Sequence, residues 1–172
     1  LNSVEIPEGV ITIGEKAFYG CTDLANITVS ERNQVYDSRE ECNAIIETAT
    51  NKLMLGCAGT NIPKGIIEIG SSAFAHCSAL TSIHIPDSVT KIGDAAFMGC
   101  YNLTSIILPK GITEVESSVF AHCSNLTDIN IPDRVTNIGG NAFCQCYNLS
   151  NIYLPPTLKN IGEYAFDSCA SL

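Results

Sequence analysis

Basic residues are scarce in this sequence: Lys and Arg together number nine, against 18 Asp and Glu. The formal charge of −9 works against nucleic-acid binding, because contacts to phosphates need clustered basic side chains. The same acidity disfavours attachment to anionic membranes. Long apolar runs are also missing, since none approaches the roughly 20 residues that span a bilayer. We therefore expect no nucleic-acid partner and no membrane insertion of this segment.

The residue spacings that carry catalysis or metal binding are missing as well. The sequence contains no Cys-x-x-Cys pair, although such pairs are typical of zinc sites. No combination of Ser, His and Asp recurs at a spacing that would place a nucleophile beside a base, and the carboxylates are scattered rather than paired. We expect no catalytic residues, no metal site and no cofactor, and the chain is predicted not to be an enzyme.

What the sequence does have is a strict internal repeat of 23 residues. One unit reads L-x-x-I-x-I-P-x-x-V-x-x-I-G-x-x-A-F-x-x-C-x-x, and all six Phe of the chain occupy the same slot of it. Complete units cover residues 1–23, 57–79, 80–102, 103–125, 126–148 and 149–171. The cysteine slot is filled by Cys21, Cys77, Cys100, Cys123, Cys146 and Cys169.

Each slot of the repeat has a physical reason. An I-x-I segment such as Ile129-Asn130-Ile131 alternates apolar and variable residues, as a strand does when one of its faces is buried. Pro ends the strand, and the later V-x-x-I returns the chain to the core. The Gly that follows is predicted to adopt a turn conformation closed to residues with a Cβ. Ser71 or Asp94 can then cap a short helical turn whose Phe and Cys point inward.

A unit of this size cannot bury its apolar face alone, so successive coils must stack with identical side chains above one another. The pattern therefore predicts a single solenoid of about seven coils over residues 1–172. The cysteines of the repeat slot are expected to form a column of buried thiols that act as compact hydrophobes. Parallel Cβ vectors would give them the wrong geometry for disulfides.

The period breaks between Leu24 and Gly56, where 33 residues replace the usual 23. The apolar segments 44–47 and 52–55 flank a polar turn and predict a β-hairpin that emerges from an irregular coil. Insertions in repeat proteins often lie on the binding face, but a coil without a binding role is the stronger expectation here. Cys42 and Cys57 fall almost opposite each other across this hairpin, so an oxidising location would allow a disulfide between them.

The I-x-I-P, I-G-x-x-A-F and C-x-x-L blocks resemble the BspA-like, Treponema-type leucine-rich repeats of bacterial surface proteins. The match covers all of the chain except parts of 24–56, and its departures include Val115-Glu116 where Ile-Gly is expected. The resemblance implies an α/β leucine-rich-repeat fold: a right-handed solenoid with parallel strands on the concave face and short strands and helical turns on the other side. It also implies a secreted or cell-surface location, since some family members are adhesins for host matrix proteins or other bacteria.

In such a fold only the outward residues of the concave strands can meet a partner. One column of these residues varies from coil to coil, and it consists of Glu5, Thr28, Asn61, His84, Ile107, Asn130 and Tyr153. Within that column, His84, Ile107, Asn130 and Tyr153 are the predicted binding residues, because an exposed aromatic and an apolar side chain can anchor an interface. Asp128 and Asn151 of the adjacent, mostly small and polar column complete the predicted site.

These features predict a surface-exposed, adhesin-type module that binds a protein, either a host extracellular protein or another bacterial surface protein. The alternative is a spacer or stalk that holds another domain away from the cell wall and binds nothing itself. Carbohydrate binding would require several exposed aromatics together, and the concave columns hold only Tyr153. Because neither end carries a polar capping coil, we expect a fragment whose apolar ends associate end to end.

Overall fold

The computed structural model describes residues 1–14 and 16–172, and it is a solenoid of about seven coils built from parallel strands and turns. Coils 1 to 7 comprise residues 1–23, 24–56, 57–79, 80–102, 103–125, 126–148 and 149–171. A regular coil has a front side that carries the I-x-I segment, a back side that carries the V-x-x-I segment, and a turn side that carries the A-F-x-x-C segment. The predicted solenoid is confirmed.

Short strands mark the front and back sides of the coils. In chain order they are β1 (Ser3–Ile6), β2 (Asn26–Val29), β3 (Tyr36–Asp37), β4 (Ala44–Glu47), β5 (Lys52–Gly56), β6 (Glu68–Ile69), β7 (Lys91–Ile92), β8 (Glu114–Val115), β9 (Asp128–Asn130), β10 (Asn137–Ile138), β11 (Asn151–Tyr153) and β12 (Asn160–Ile161). Strands β1, β2, β9 and β11 lie on the front side. Neighbouring regular coils pair in parallel with partners one repeat apart, for example Asn137 with Asn160.

The turn side contains consecutive turns and not the helical turn expected behind Ser71 or Asp94. Some amides bond locally, as when Cys77 N donates to Phe74 O at 3.0 Å, whereas Phe74 N donates to Ala96 O of the next coil at 2.8 Å. A helix would direct these bonds along its own axis. Two positions in each regular coil have positive φ, which turns alternate amides towards the neighbouring coil. In coil 5 these positions are Ser118 (φ 58°) and His122 (φ 63°).

The glycine that follows the back strand is needed for a different reason from the one predicted. Gly93, Gly139 and Gly162 do not have positive φ. A Cβ at these positions would instead lie 2.7, 2.6 and 2.5 Å from a backbone nitrogen of the preceding coil. Gly93 N also donates to Ile69 O of that coil at 2.8 Å. This slot therefore sets how closely two coils approach each other.

Side chains of one slot contact their own copies along the core. The rings of Phe74, Phe97, Phe120, Phe143 and Phe166 form a stack whose successive centroids are 5.1, 5.7, 5.5 and 5.3 Å apart. The predicted thiol column is also present: Cys77, Cys100, Cys123 and Cys146 are buried, while Cys21 and Cys169 are half-buried. Each central thiol lies against a Phe carbonyl of the preceding coil, with Cys100 Sγ 3.2 Å from Phe74 O.

Coil 2 has no segment equivalent to the turn side of its neighbours. β5 takes the back-strand position of this coil, because it pairs in parallel with β6 through Leu53 and Ile69. Four residues after Leu53, Cys57 already begins coil 3. Gly56 occupies the space next to the Phe stack, where a Cβ would overlap the Phe74 ring.

β4 and β5 form the predicted hairpin, but this hairpin is buried in the solenoid and does not emerge from it as expected. Ile45, Ile46 and Leu53 are fully buried. Ile46 and Leu53 belong to the main core of coils 3 to 7, whereas Ile45 belongs to a second core that includes residues of coils 1 and 2 such as Ile27. Because side chains alternate across a strand, β4 separates the two cores and contributes to both.

Cys42 and Cys57, between which an oxidising location would allow a disulfide, are both free thiols in this structure. Ile46 pairs with Leu53, but a register shift follows, so Ala44 pairs with Gly56. This irregularity moves Cys57 opposite Asn43 instead of Cys42, and a shift of one residue reverses the face to which a side chain points. Cys42 is accordingly buried in the main core and Cys57 in the second core.

The interface between coils 4 and 5, which we call the open seam, differs from its neighbours. The back strands form two separate sheets, in the orders β3-β4-β5-β6-β7 and β12-β10-β8, so the break lies between β7 of coil 4 and β8 of coil 5. On the front side, the expected strand Ile83-His84-Ile85 of coil 4 joins no strand among the described residues. The turn side remains bonded, for example from Phe97 N to Val119 O at 3.0 Å.

Candidate binding face

An open cleft of about 830 Å³ lies on the front side of coils 5 to 7. Ile107 lines this cleft and is 83% exposed, whereas its neighbours Ile106 and Leu108 point into the core and are buried. Tyr153 lines it from coil 7 and is 47% exposed. The buried neighbours fix the backbone, so the fold holds an isoleucine and a tyrosine in contact with solvent.

The parallel register aligns polar residues beside these two side chains. Asn130 pairs with Tyr153, and Asp128 pairs with Asn151 in the adjacent column. Asp128 and Asn130 line the cleft, while Asn151 lies beside Asp128 outside it. The structure thus brings four of the six predicted binding residues into one cleft. They are Ile107, Asp128, Asn130 and Tyr153.

His84 lies in a different place from the rest of the predicted site. It lines a second open cleft, of about 720 Å³, on coils 3 and 4, together with Asn61, Lys64 and Asp87. Glu40, from the irregular part of coil 2, also lines this second cleft. The open seam separates the two clefts, so the front side offers two candidate surfaces in place of one continuous column.

Asp133 holds the tyrosine at the edge of the first cleft. The Tyr153 hydroxyl donates to Asp133 Oδ1 at 3.2 Å. Partial desolvation and this neighbouring carboxylate raise the pKa of Tyr153. The tyrosine therefore presents its apolar face to the cleft with its hydroxyl already occupied.

Two basic residues at the cleft were not included in the predicted site. Lys110 and Arg134 line it, and neither is in an ion pair with another described residue. Both lie in the turn after a front strand, just beyond the strand positions considered in the sequence. Lys110 directly follows Pro109, and Arg134 lies two residues after Pro132. These positions after the proline slot are the signal that could have found them.

The residues with reactive side chains have structural roles in the part of the chain that the structure describes. No cluster of three or more His, Cys, Asp or Glu there could hold a metal ion. Burial raises the pKa of Cys77 to about 11 and that of Cys146 to about 12, which makes these thiols poor nucleophiles at neutral pH. His76 Nε2 lies 2.8 Å from the Tyr19 hydroxyl and so joins coil 3 to coil 1.

Comparison with known families agrees with this geometry. Six copies of the repeat described as the BspA type leucine rich repeat region match residues 1–50 and 55–172. The chain belongs to the BspA type leucine-rich repeat family. Leucine-rich repeats of this family are generally non-catalytic and generally bind proteins. No curated protein matches the chain.

Several solved structures of bacterial leucine-rich repeat proteins are similar to this chain. A leucine rich cell surface protein from Faecalibacterium prausnitzii A2-165 is 36% identical with a TM-score of 0.91, and the match covers 100% of this chain and 46% of that one. The pneumococcal vaccine antigen PcpA shares the fold, with 22% identity, a TM-score of 0.84, and coverage of 100% and 44%. A leucine-rich repeat protein of T. pallidum has 31% identity, a TM-score of 0.63, and coverage of 80% and 65%.

The chain thus spans less than half the length of the first two of these proteins. Within its described residues, no helix is long and apolar enough to cross a membrane.

Proposed function

We propose that this chain is a protein-binding module of a bacterial surface protein and that it engages its partner through the front cleft of coils 5 to 7. The observation that carries the proposal is Ile107, an isoleucine that is 83% exposed although its two neighbours in the chain are buried. A structural role does not require an apolar side chain at this position. In protein interfaces, a few exposed apolar and aromatic anchors supply most of the binding energy.

The residues around Ile107 fit an interface with a protein. Tyr153 adds a second anchor, and Asn130 and Asp128 can form hydrogen bonds on the same surface. Lys110 and Arg134 add charge at the cleft, as is typical of the polar rim around an interface core. Because these apolar and polar side chains lie on a rigid backbone, a partner can bind them with little loss of conformational entropy.

A secreted or surface location and an adhesin-type role are part of the same proposal. They are supported by the family and by the description of the Faecalibacterium relative as a cell surface protein. The partner would be a host extracellular protein or a surface protein of another bacterium. A spacer role, in which the solenoid holds another domain away from the cell wall, remains the alternative.

Binding of the immobilised chain to a panel of extracellular matrix and bacterial surface proteins tests the proposal. We expect Ile107→Ala and Tyr153→Ala each to weaken the captured interaction by about tenfold or more, as anchors of an interface do. The chain offers matched controls outside the front cleft: Ile67→Ala on the back side (44% exposed) and Tyr147→Ala on the turn side (46% exposed). These controls should bind as the wild type does.

Equal binding by all four variants would place the interface elsewhere, and a chain that captures no protein would favour the spacer. Light scattering should accompany these measurements, because coil 7 exposes residues with large apolar surfaces such as Ile161 and Tyr164. Those residues are the ones through which end-to-end association would occur.

A further inference from the structure

The open seam coincides with the position at which the repeat loses its glycine. Glu116 occupies the slot filled by Gly93, Gly139 and Gly162 in other coils. In those coils the glycine amide donates to the preceding back strand, as Gly139 N does to Val115 O at 2.7 Å and Gly162 N to Ile138 O at 2.8 Å. Within the described residues, no equivalent bond joins Glu116 N to Ile92 O.

A steric argument explains the missing bond. At the glycine positions, a Cβ would lie within 2.7 Å of a backbone nitrogen of the preceding coil. Real Cβ atoms do not approach backbone nitrogens so closely, so one of the two coils must move when the slot holds another residue. Glu116 brings a Cβ to the slot. Coils 4 and 5 therefore do not pair at this slot as the other regular coils do.

The space left by this displacement is visible. A cleft of about 280 Å³ lies between Lys91 and Ile92 of coil 4 and Glu114 and Glu116 of coil 5. Burial, Asp94, Glu114 and Glu68 raise the pKa of Glu116, and Lys91 acts in the opposite direction. Repulsion among these carboxylates adds to the steric effect, because like charges disfavour closure of the cleft.

The turn side of the same interface stays closed. Ala95 N, Phe97 N and Gly99 N donate to carbonyls of coil 5 at 2.9, 3.0 and 2.8 Å. Phe97 and Phe120 remain stacked, although their centroid separation of 5.7 Å is the largest in the stack. On the front side, Thr104 N donates to Thr81 O at 3.1 Å. Coils 4 and 5 are thus joined on the turn side and at the start of the front segment, and their strands are unpaired on the back side.

We infer that Glu116 is a wedge that makes the open seam a hinge between two rigid blocks, coils 1–4 and coils 5–7. The His84 cleft lies on the first block and the Ile107 cleft on the second. The angle of the hinge sets the distance between the two clefts. If the front side binds a protein as proposed, Glu116 is a positioning residue that determines whether one partner can contact both clefts.

Amide hydrogen exchange measured by NMR on the whole chain tests the hinge without any ligand, so its outcome is independent of the proposed function. In Glu116→Gly the strand ladder can close, as it does where Gly139 N donates to Val115 O and Thr136 N to Thr113 O. Exchange of the amide of residue 116 should then slow by about tenfold, and exchange of the Thr113 amide should slow as well. Glu116→Ala removes the charge but keeps the Cβ, and it should leave exchange at residue 116 fast. The amide of Gly139 should be unaffected in both variants.

The converse variant, Gly139→Glu, should open the interface between coils 5 and 6 and speed exchange at residue 139. Unchanged exchange at residue 116 in Glu116→Gly would overturn the inference. Equal slowing in Glu116→Ala and Glu116→Gly would also overturn it, because the charge and not the Cβ would then hold the seam open.

Discussion

Phe120 shows how a single side chain contributes to this fold. Its ring is fully buried between Phe97 and Phe143, with centroids 5.7 and 5.5 Å away. Offset contacts between aromatic rings stabilise a core beyond the burial of their area. A residue in the middle of the stack therefore supports two neighbours, whereas Phe166 at the last coil contacts only Phe143 and is half-buried.

Phe120→Ala should lower the free energy of unfolding by about 3–5 kcal/mol, because it removes a buried ring and leaves a cavity. Phe166→Ala should cost clearly less, since the half-buried ring can be replaced by water. Urea denaturation followed by circular dichroism would measure both. Equal losses would show that the stack does not couple neighbouring coils.

The buried thiols predict how stability changes at alkaline pH. In the folded chain the pKa of Cys146 is about 12, whereas an unfolded thiol titrates near pH 9.0. A group whose pKa is raised by folding contributes stability that is present below the unfolded value and is lost as the pH rises through the folded value. The loss for one such thiol is at most about 1.4 kcal/mol per pH unit.

We therefore expect the urea midpoint of the wild type to fall more steeply between pH 9 and 11 than that of Cys146→Ala. The comparison isolates one thiol, because all other groups are common to the two chains. Parallel curves would mean that Cys146 is accessible to solvent in the folded state.

At the scale of the element, the glycine slot was predicted correctly in its position and wrongly in its cause. The pattern I-G requires a residue without a Cβ, but it does not distinguish positive φ from a close contact with another coil. That contact joins residues a full repeat apart, such as Gly139 and Ser117. It exists only once the coils are stacked, so a single unit of the sequence does not reveal it.

Gly139→Ala should destabilise the chain by about 1–3 kcal/mol, the usual cost of adding a methyl group where no space exists. Gly14 is a matched control, because it occupies the same slot in coil 1 and a Cβ there would meet no atom within 4 Å. Gly14→Ala should be neutral or slightly stabilising, by at most about 1 kcal/mol. Thermal unfolding of the two variants would measure the difference.

The turn side and the hairpin show a second limit to what the sequence predicts about individual elements. Apolar spacing on the A-F-x-x-C segment placed Phe and Cys in the core correctly, but it fits a helical turn and a series of reverse turns equally well. The apolar segments 44–47 and 52–55 also predicted the two strands of the hairpin correctly. The irregularity between Ile45 and Ile46 carries no distinctive residue, and it alone decides that Cys42 and Cys57 point to opposite sides.

At the scale of the whole molecule, a polar contact also ties coil 1 to coil 2 within the second core. Tyr36 of coil 2 is buried, and its hydroxyl accepts a hydrogen bond from Ile13 N of coil 1 at 3.0 Å. Coil 1 is thereby tied to the second core. Since stability in solenoids is a sum over coils and their interfaces, coil 1 should open independently of coils 5 to 7 when this tie is removed.

In Tyr36→Phe, exchange of the Ile13 amide should accelerate by about tenfold, because a partly buried donor loses its acceptor. The amides of β9 and β11 should keep their protection. Tyr153→Phe is the matched control, since it removes an exposed hydroxyl bonded to Asp133, and it should change neither group of amides. Faster exchange throughout the chain would indicate one cooperative unit.

The solenoid, its register and the composition of its core follow from the repeat, because every regular coil places the same residue types in the same slots. The location of the binding cleft follows only in part. Ile107, Asn130 and Tyr153 share a column in the sequence and a cleft in the structure, but His84 lines another cleft, on coils 3 and 4. The break in the back strands lies between those coils and coil 5, and the column pattern of the front strands does not reveal it.

The positive-φ positions of the turn side bear on how such a protein can change over generations. Left-handed backbone costs about 1–2 kcal/mol for a residue with a Cβ, yet only Gly20 and Gly99 relieve it, while Ser118, His122 and other non-glycine residues do not. Each regular coil therefore has a turn-side position at which glycine would increase stability, and these positions lie far from the front side. Mutations that alter the binding surface at some cost to folding could be offset there, so the repeat can acquire new partners without losing its scaffold.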